Sequence, residues 1–197
     1  MDDKVALFDM DGTIADYTLQ MRRDLARLGS EQIPERLHGE EIPDWLEARK
    51  NIVSSQIGWW RNLPVISSGI EILTLCKEIG FGIHILTQGP RSKPSAWGEK
   101  LQWCEDKVLP IDPNYGITVT RNGKGLHYGR VLVDDWPPFM EAWLKHRPRG
   151  LGLMPVSPEN EGFSHHQVIR YNPENWRTSQ LEHSLMRVYN RNPRESV

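Results

Sequence analysis

Three short apolar runs, each stopping abruptly on polar residues, constrain this chain more than any other feature of its sequence. Lys4 to Phe8 reads Lys-Val-Ala-Leu-Phe and stops at Asp9; Ile83-His84-Ile85-Leu86 stops at Thr87-Gln88-Gly89; Val131-Leu132-Val133 stops at Asp134-Asp135. Runs this short and this apolar fit buried strands of a parallel sheet better than helices. Between the first two lie Asp16 to Ile57, rich in Leu, Arg and Glu, and then Gly69 to Ile79, where Ile70, Leu73 and Lys77 fall at helical spacing. Strand, helix, strand, helix, strand predicts an α/β chain: a Rossmann-like parallel sheet with helices on both faces. Ligands of such sheets sit outside the carboxyl ends of the strands, where all three polar endings converge.

The stretch from about Ala15 to Leu63 is too long for a single crossover connection. It predicts a small helical cap, residues 15–63, inserted after the first strand of a core formed by 1–14 and 64–197. Trp45, Trp59 and Trp60 lie in it, punctuated by Pro34, Pro43 and Pro64. Beyond Asp135 the pattern predicts a helix over Phe139 to Lys145, strands over Gly150 to Met154 and Gln167 to Tyr171, and a last helix over Ser179 to Tyr189. Asn190 to Val197 is polar and reads as a frayed end.

Composition narrows the function classes. With 197 residues, 38% hydrophobic and 25% charged, one substantial core and a small subdomain are expected. A formal charge of -2 offers no broad attraction to a polyanion, so neither nucleic acid nor an anionic membrane is an expected partner, and any phosphate must be met by a local site. The opening residues read as lacking a secretory signal, and no apolar run approaches the ~20 residues of a membrane helix. Cys76 and Cys104 form no CxxC pair and read as buried thiols of a reducing compartment, so a cytoplasmic protein is expected.

Asp9 and Asp11, one residue apart at a strand end and followed by Gly12 for a sharp turn, can bring two carboxyl groups to one reaction centre. Crowding raises the pKa of one of them, so that one acid can attack while the other donates a proton. A cation would hold the ionised partner beside an anionic substrate. His165-His166 resembles a metal pair, but as adjacent strand residues the two would point to opposite faces, and no metal is expected there. His84, inside a strand, reads as a core histidine.

The run Asp9-Met10-Asp11-Gly12-Thr13 resembles the DxDGT motif of the haloacid dehalogenase superfamily, with further matches in the family's order: Thr87 at the end of the second strand, a lysine, and the acidic pair Asp134-Asp135. The resemblance implies Asp9 as nucleophile, Asp11 as acid and base, and Thr87 as a phosphoryl contact. It implies Mg2+ held by Asp9, the Asp11 carbonyl and Asp135, with Asp134 in or near that set. The amides of Gln88 and Gly89 are expected to assist Thr87. Lys100 is chosen over Lys93 as the motif lysine because Glu99-Lys100 followed by Trp103 resembles the small 5'(3')-deoxyribonucleotidases.

That narrower resemblance also rests on Trp59-Trp60 before Leu63-Pro64, on Thr120-Arg121, and on Asp134-Asp135-x-Pro137. Gln88-Gly89 departs from it where Ser-Pro is usual, as does Trp136 where Arg often stands. It implies a phosphomonoester substrate, a nucleoside monophosphate, with Trp59, Trp60 and Tyr17 as an aromatic cap pocket. Arg121 and Lys124, in Arg-Asn-Gly-Lys-Gly, are candidate substrate contacts or turn decorations. A phosphatase for sugar phosphates or nucleic-acid 3'-phosphates, and a binding-only protein, stand as alternatives. Homo-oligomerisation is left open.

Overall fold

A computed structural model describes residues 4–30, 32–38 and 42–192. Of the end expected to fray over Asn190 to Val197, Asn190 closes the last helix and the Arg191 carbonyl accepts from Arg130 at 2.9 Å, which corrects that part, while 193–197 lies outside the described residues. Six strands form one sheet: β1 (Val5–Phe8), β2 (Gly82–Gln88), β3 (Gly116–Thr120), β4 (Val131–Val133), β5 (Leu151–Pro155) and β6 (Val168–Tyr171). Their order is β3-β2-β1-β4-β5-β6, and every pairing is parallel. The helices are α1 (Tyr17–Arg27), α2 (Asp44–Val53), α3 (Ser67–Ile79), α4 (Pro94–Lys107), α5 (Pro137–Lys145) and α6 (Ser179–Asn190).

The sheet buries both faces because its side chains alternate. Ala6, Phe8, Ile83, Ile85, Val131 and Val133 pack with Ile72 and Cys76 of α3, Trp103 of α4 and Leu185 of α6. Leu7, Leu86 and Leu132 point the other way, onto Met140, Trp143 and Leu144 of α5. The uninterrupted apolar runs follow from this double coverage. The strand order reverses direction between β1 and β4, which opens a crevice at their carboxyl ends. Register pairs Phe8 with both Ile85 and Val133, and the Asp9 amide donates to the Val133 carbonyl at 2.9 Å. Asp9 and Asp134 therefore leave the sheet side by side.

The edge strand β3 stands outside the elements expected between the second and third apolar runs, whereas α4 is the helix that the alternation of strands and helices placed there. Gly-Ile-Thr-Val-Thr is only half-buried along its whole length, as befits an edge strand, so no continuous apolar run announces it. His165 and His166 precede β6 and are not strand residues. Their rings stack at 4.5 Å, so the expectation of opposite faces is corrected.

Residues 16–64 carry α1 and α2 and leave and re-enter the core at one point. The Asp16 amide donates to the Pro64 carbonyl and that of Ile66 to Ile14, around an antiparallel bridge between Ala15 and Val65. On re-entry α3 packs against the loop after β1: a Cβ on Gly69 would lie 2.0 Å from the Thr13 carbonyl oxygen and 3.1 Å from the Ile14 Cα. Gly69→Ala is expected to cost about 1–3 kcal/mol by overpacking, read as a lower urea midpoint at unchanged m. An unchanged midpoint would show that the helix can withdraw freely from the loop.

Candidate active site

The loop after β1 is wound tightly around one carbonyl, since the amides of Ile14 and Ala15 both donate to Met10, at 2.9 and 2.8 Å. Gly12 sits at φ +75°, and a Cβ there would lie 2.2 Å from Asp135 Oδ2. Only glycine fits both the turn and the close approach of Asp135. The loop thus presents Asp9, buried to 6% exposure, to the acids after β4. One oxygen from each of Asp9, Asp134 and Asp135 lies within 4.8 Å of the others.

Two buried lysines hold these acids. Lys100, projecting from α4 and fully buried, donates to Asp11 Oδ2 at 2.5 Å, to the Gln88 carbonyl at 2.7 Å and to Thr87 Oγ1 at 3.0 Å. Lys124, on a 3-10 turn at Lys124–Leu126, pairs with Asp134 Oδ2 at 2.7 Å and Asp9 Oδ1 at 2.9 Å. The lysine on Asp9 is thus Lys124, while Lys100 serves Asp11 and Thr87. Lys124 read as a turn or substrate residue because its neighbours are ordinary turn glycines. The available signal was the pair of glycines around it: Gly123 turns the chain at φ +82°, and Gly125 packs where a Cβ would meet the Ala142 carbonyl oxygen at 2.8 Å.

The charges do not balance. Among the described residues Asp9, Asp11, Asp134 and Asp135 face only Lys100 and Lys124, leaving the cluster two charges negative when all are ionised. Burial holds the Asp135 carboxyl well above its usual range, and Asp9 and Asp134 push it further the same way. Burial likewise raises Asp134, with Asp9 adding to it against the pull of Lys124. Burial would lower Lys124, but Asp134 and Asp9 outweigh it and keep the ammonium charged. At Asp11, burial and the nearby Asp9 carboxylate prevail over Lys100, so its carboxyl is also raised. Asp11 Oδ2 is taken by Lys100, whereas its buried Oδ1 has no partner.

Clustered carboxylate oxygens that outnumber the ammonium groups beside them are a donor set that suits Mg2+, a hard cation that takes oxygen ligands. Asp9, Asp134 and Asp135 are the carboxylates that fit it.

The other expected site residues divide. Gly89 is buried, but its amide donates to the Thr120 carbonyl at 2.9 Å, and α4 starts only at Pro94. It is committed to the sheet and stands at no helix start, which corrects its expected role on an anion. The Gln88 side chain turns to the Arg121 carbonyl at 2.9 Å, and Arg121 itself is exposed. Lys93 donates to Ser54 Oγ and not to the acids.

Tyr17, Trp59 and Trp60 form one buried cluster with ring centroids 5.0–5.6 Å apart. Trp59 Nε1 donates to Asp24 and Trp60 Nε1 to the Ser54 carbonyl, both at 2.9 Å. Glu99, beside Lys100, accepts from the amides of Gly58 at 2.8 Å and Trp60 at 3.1 Å, tying this cluster to α4. Trp59 packs as core. Tyr17 and Trp60 line a cleft of about 150 Å³ at Asp11 and Asp135, and also an adjoining one of about 490 Å³ that reaches Glu47, Lys50, Asn51 and Lys93.

The fold and this acid cluster define a class, and solved structures share its architecture. A haloacid dehalogenase family IA, variant 3 hydrolase from Entamoeba histolytica superposes with a TM-score of 0.53 at 14% identity, covering 95% of this chain and 100% of that one. A haloacid dehalogenase-like family hydrolase from Xanthomonas campestris gives 0.51 at 11% identity, covering 95% and 98%. No match was found among curated proteins. Residues 3–182 match the family model described as 5' nucleotidase, deoxy (pyrimidine), cytosolic type C protein (NT5C), and the chain belongs to that family. It is a phosphatase-class hydrolase of the haloacid dehalogenase superfamily.

Removing the Lys124 ammonium would leave Asp9 and Asp134 buried without their cation. Lys124→Met is expected to destabilise the metal-free protein by about 3–5 kcal/mol, measured by urea unfolding in EDTA. A loss below about 1 kcal/mol, the range of exposed pairs, would mean that the acids do not depend on it.

Proposed function

We propose that the protein is a Mg2+-dependent phosphomonoester hydrolase acting on nucleoside monophosphates through an aspartyl-phosphate on Asp9. The observation that carries this reading is the cluster of four carboxylates, Asp9 and Asp134 buried and Asp11 and Asp135 half-buried, held by two lysines at the β1–β4 crevice. A binding module has no use for such a cluster, because crowded acids oppose the binding of a phosphate. Asp9, Asp135, the Asp11 carbonyl and nearby Asp134 would hold Mg2+, which when bound offsets the surplus charge and attracts the phosphoryl oxygens.

In the first step an Asp9 oxygen forms a bond to phosphorus as the ester P–O bond breaks. The departing oxygen takes the proton of Asp11, whose raised pKa and unpartnered Oδ1 suit a donor. In the second, water attacks the aspartyl-phosphate, Asp11 takes up the water proton, and inorganic phosphate leaves with Asp9 regenerated. Thr87 and Lys100 would steady the phosphoryl oxygens from one side, and Lys124 would orient Asp9.

We assign residues 15–63 as the cap that discriminates leaving groups. The family's description favours a nucleotide, and Tyr17 and Trp60 give the cleft an aromatic wall. The larger cleft favours a second reading, a hydroxylated sugar phosphate, because Glu47, Lys50 and Asn51 offer it polar groups. The family's "cytosolic" description, with two buried free thiols, supports a cytoplasmic location.

Asp9→Asn is expected to lower turnover at least ~1000-fold with the fold intact; near-normal turnover would remove Asp9 as nucleophile. Asp11→Asn is expected to slow nucleotides far more than an aryl phosphate, whose good leaving group needs little acid help. Equal slowing would contradict that role. A substrate panel should rank deoxyribonucleoside monophosphates modestly above ribonucleotides, by a factor of about 100 at most, and both above hexose phosphates. Trp60→Ala should raise the nucleotide KM more than that of an aryl phosphate. Glucose 6-phosphate turned over as well as a deoxynucleotide would favour the sugar-phosphate reading.

A further inference from the structure

The strand order puts β5 beside β4, with Leu153 opposite Val133, so the loop that leaves β5 runs past the loop carrying Asp134 and Asp135. Its sequence, Ser157-Pro158-Glu159-Asn160, makes it tight: Pro158, whose ring fixes a helical φ, opens a 3-10 turn over Pro158–Asn160. The Asn160 amide donates to the Ser157 carbonyl at 3.3 Å, and the Ser157 amide donates to Asn160 Oδ1 at 3.2 Å. Asn160 is thereby folded into the interior and is only 1% exposed.

A carboxamide offers two N–H donors and an oxygen with two lone pairs, and at Asn160 all four are used. Nδ2 donates to the Pro155 carbonyl at 2.8 Å and to the Asp135 carbonyl at 3.0 Å. Oδ1 accepts from the Ser157 amide and from Arg170 Nη2, the latter at 2.9 Å. Two carbonyls on one side and two N–H groups on the other allow one orientation of the amide. The bonds to Pro155 and Ser157 close the turn, and Arg170 fixes it to β6. The bond to Asp135 alone crosses to the loop after β4, and closing the turn does not require it.

That bond falls on the peptide carbonyl of the residue whose carboxyl group completes the acid cluster. One Asp135 oxygen stands 2.2 Å from where a Cβ on Gly12 would lie, and one lies within 4.8 Å of oxygens of Asp9 and Asp134. Like charges at this range push the two loops apart, and Asn160 holds the Asp135 backbone against that push. On the reading that Asp9, Asp134 and Asp135 seat the cation, on which this inference rests, we propose that Asn160 is a positioning residue for Mg2+. By fixing the Asp135 carbonyl it sets where the Asp135 carboxylate stands. Ligating carboxylates are oriented by the hydrogen-bonding groups behind them, and loss of such a group weakens metal binding. Asn160 carries no charge, so it acts on the cation through geometry and not through Coulomb attraction.

The test is calorimetric titration of Mg2+ into the full chain, wild type and Asn160→Ala, at a temperature where urea unfolding in EDTA shows both to be folded. Because one neutral side chain replaces another, a loss of affinity cannot be a loss of charge. The expected result is a Mg2+ Kd weakened by about 10–100-fold. A side chain that only closes the turn would lower the urea midpoint and leave the Kd where it was. Asn160→Ser, whose hydroxyl is too short to bridge both carbonyls, is expected to weaken Mg2+ likewise and serves should the alanine variant not fold. Wild-type Mg2+ affinity in either folded variant overturns the positioning role alone. A wild type that binds no Mg2+ overturns the cation seat and the positioning role with it. Mg2+ binding that depends on Asn160 in a chain without phosphomonoester turnover supports the positioning role and overturns only the hydrolytic reading.

Discussion

Four carboxylates gathered at the end of a buried parallel sheet are unstable company, and the surrounding structure is arranged around that fact. Asp9, Asp11, Asp134 and Asp135 come from only two loops, after β1 and β4, which the strand register places next to each other. Repulsion at such range in a poorly solvated site is offset in part by two ammonium groups delivered from outside those loops. Lys100 comes from α4 and Lys124 from the turn between β3 and β4, so the cluster cannot form until both flanks of β1 are in place.

The same requirement explains several small residues. Gly12 lets Asp135 come close, Gly69 lets α3 abut the loop carrying Asp9 and Asp11, and Gly125 lets the Lys124 turn settle on α5. Glu99 and Lys100, adjacent on α4, divide two tasks. One fixes the backbone of Gly58 and Trp60, and the other reaches Asp11 and Thr87. The inserted helices are thereby anchored to the helix that also serves the acids, which couples the position of the aromatic wall to the chemistry below it.

What was legible in the sequence follows from double burial and from the short-range motifs. β1, β2 and β4 are covered on both faces, so their residues read as unbroken apolar runs, and the polar residue ending each run was already a candidate. β3 was missed because an edge strand needs no such run. The partner of Asp9 was missed for a different reason: Lys124 is far from Asp9 in sequence, and only the fold shows that a glycine-flanked turn brings it inward. Gly89 was misjudged because its amide is claimed by β3, an element not foreseen. Trp59 and Trp60 were read alike as pocket residues, yet the indole of Trp59 is spent on Asp24 within the helical insertion, while Trp60 also borders the cleft.

The central claim is that the clustered carboxylates of Asp9, Asp134 and Asp135 are the seat of one divalent cation. Titration calorimetry of Mg2+ into the metal-free chain tests it without reference to turnover. The account predicts one Mg2+ per chain, and loss of that binding in Asp135→Asn with the fold retained. Absence of Mg2+ binding in the wild type, or undiminished binding in Asp135→Asn, would contradict it.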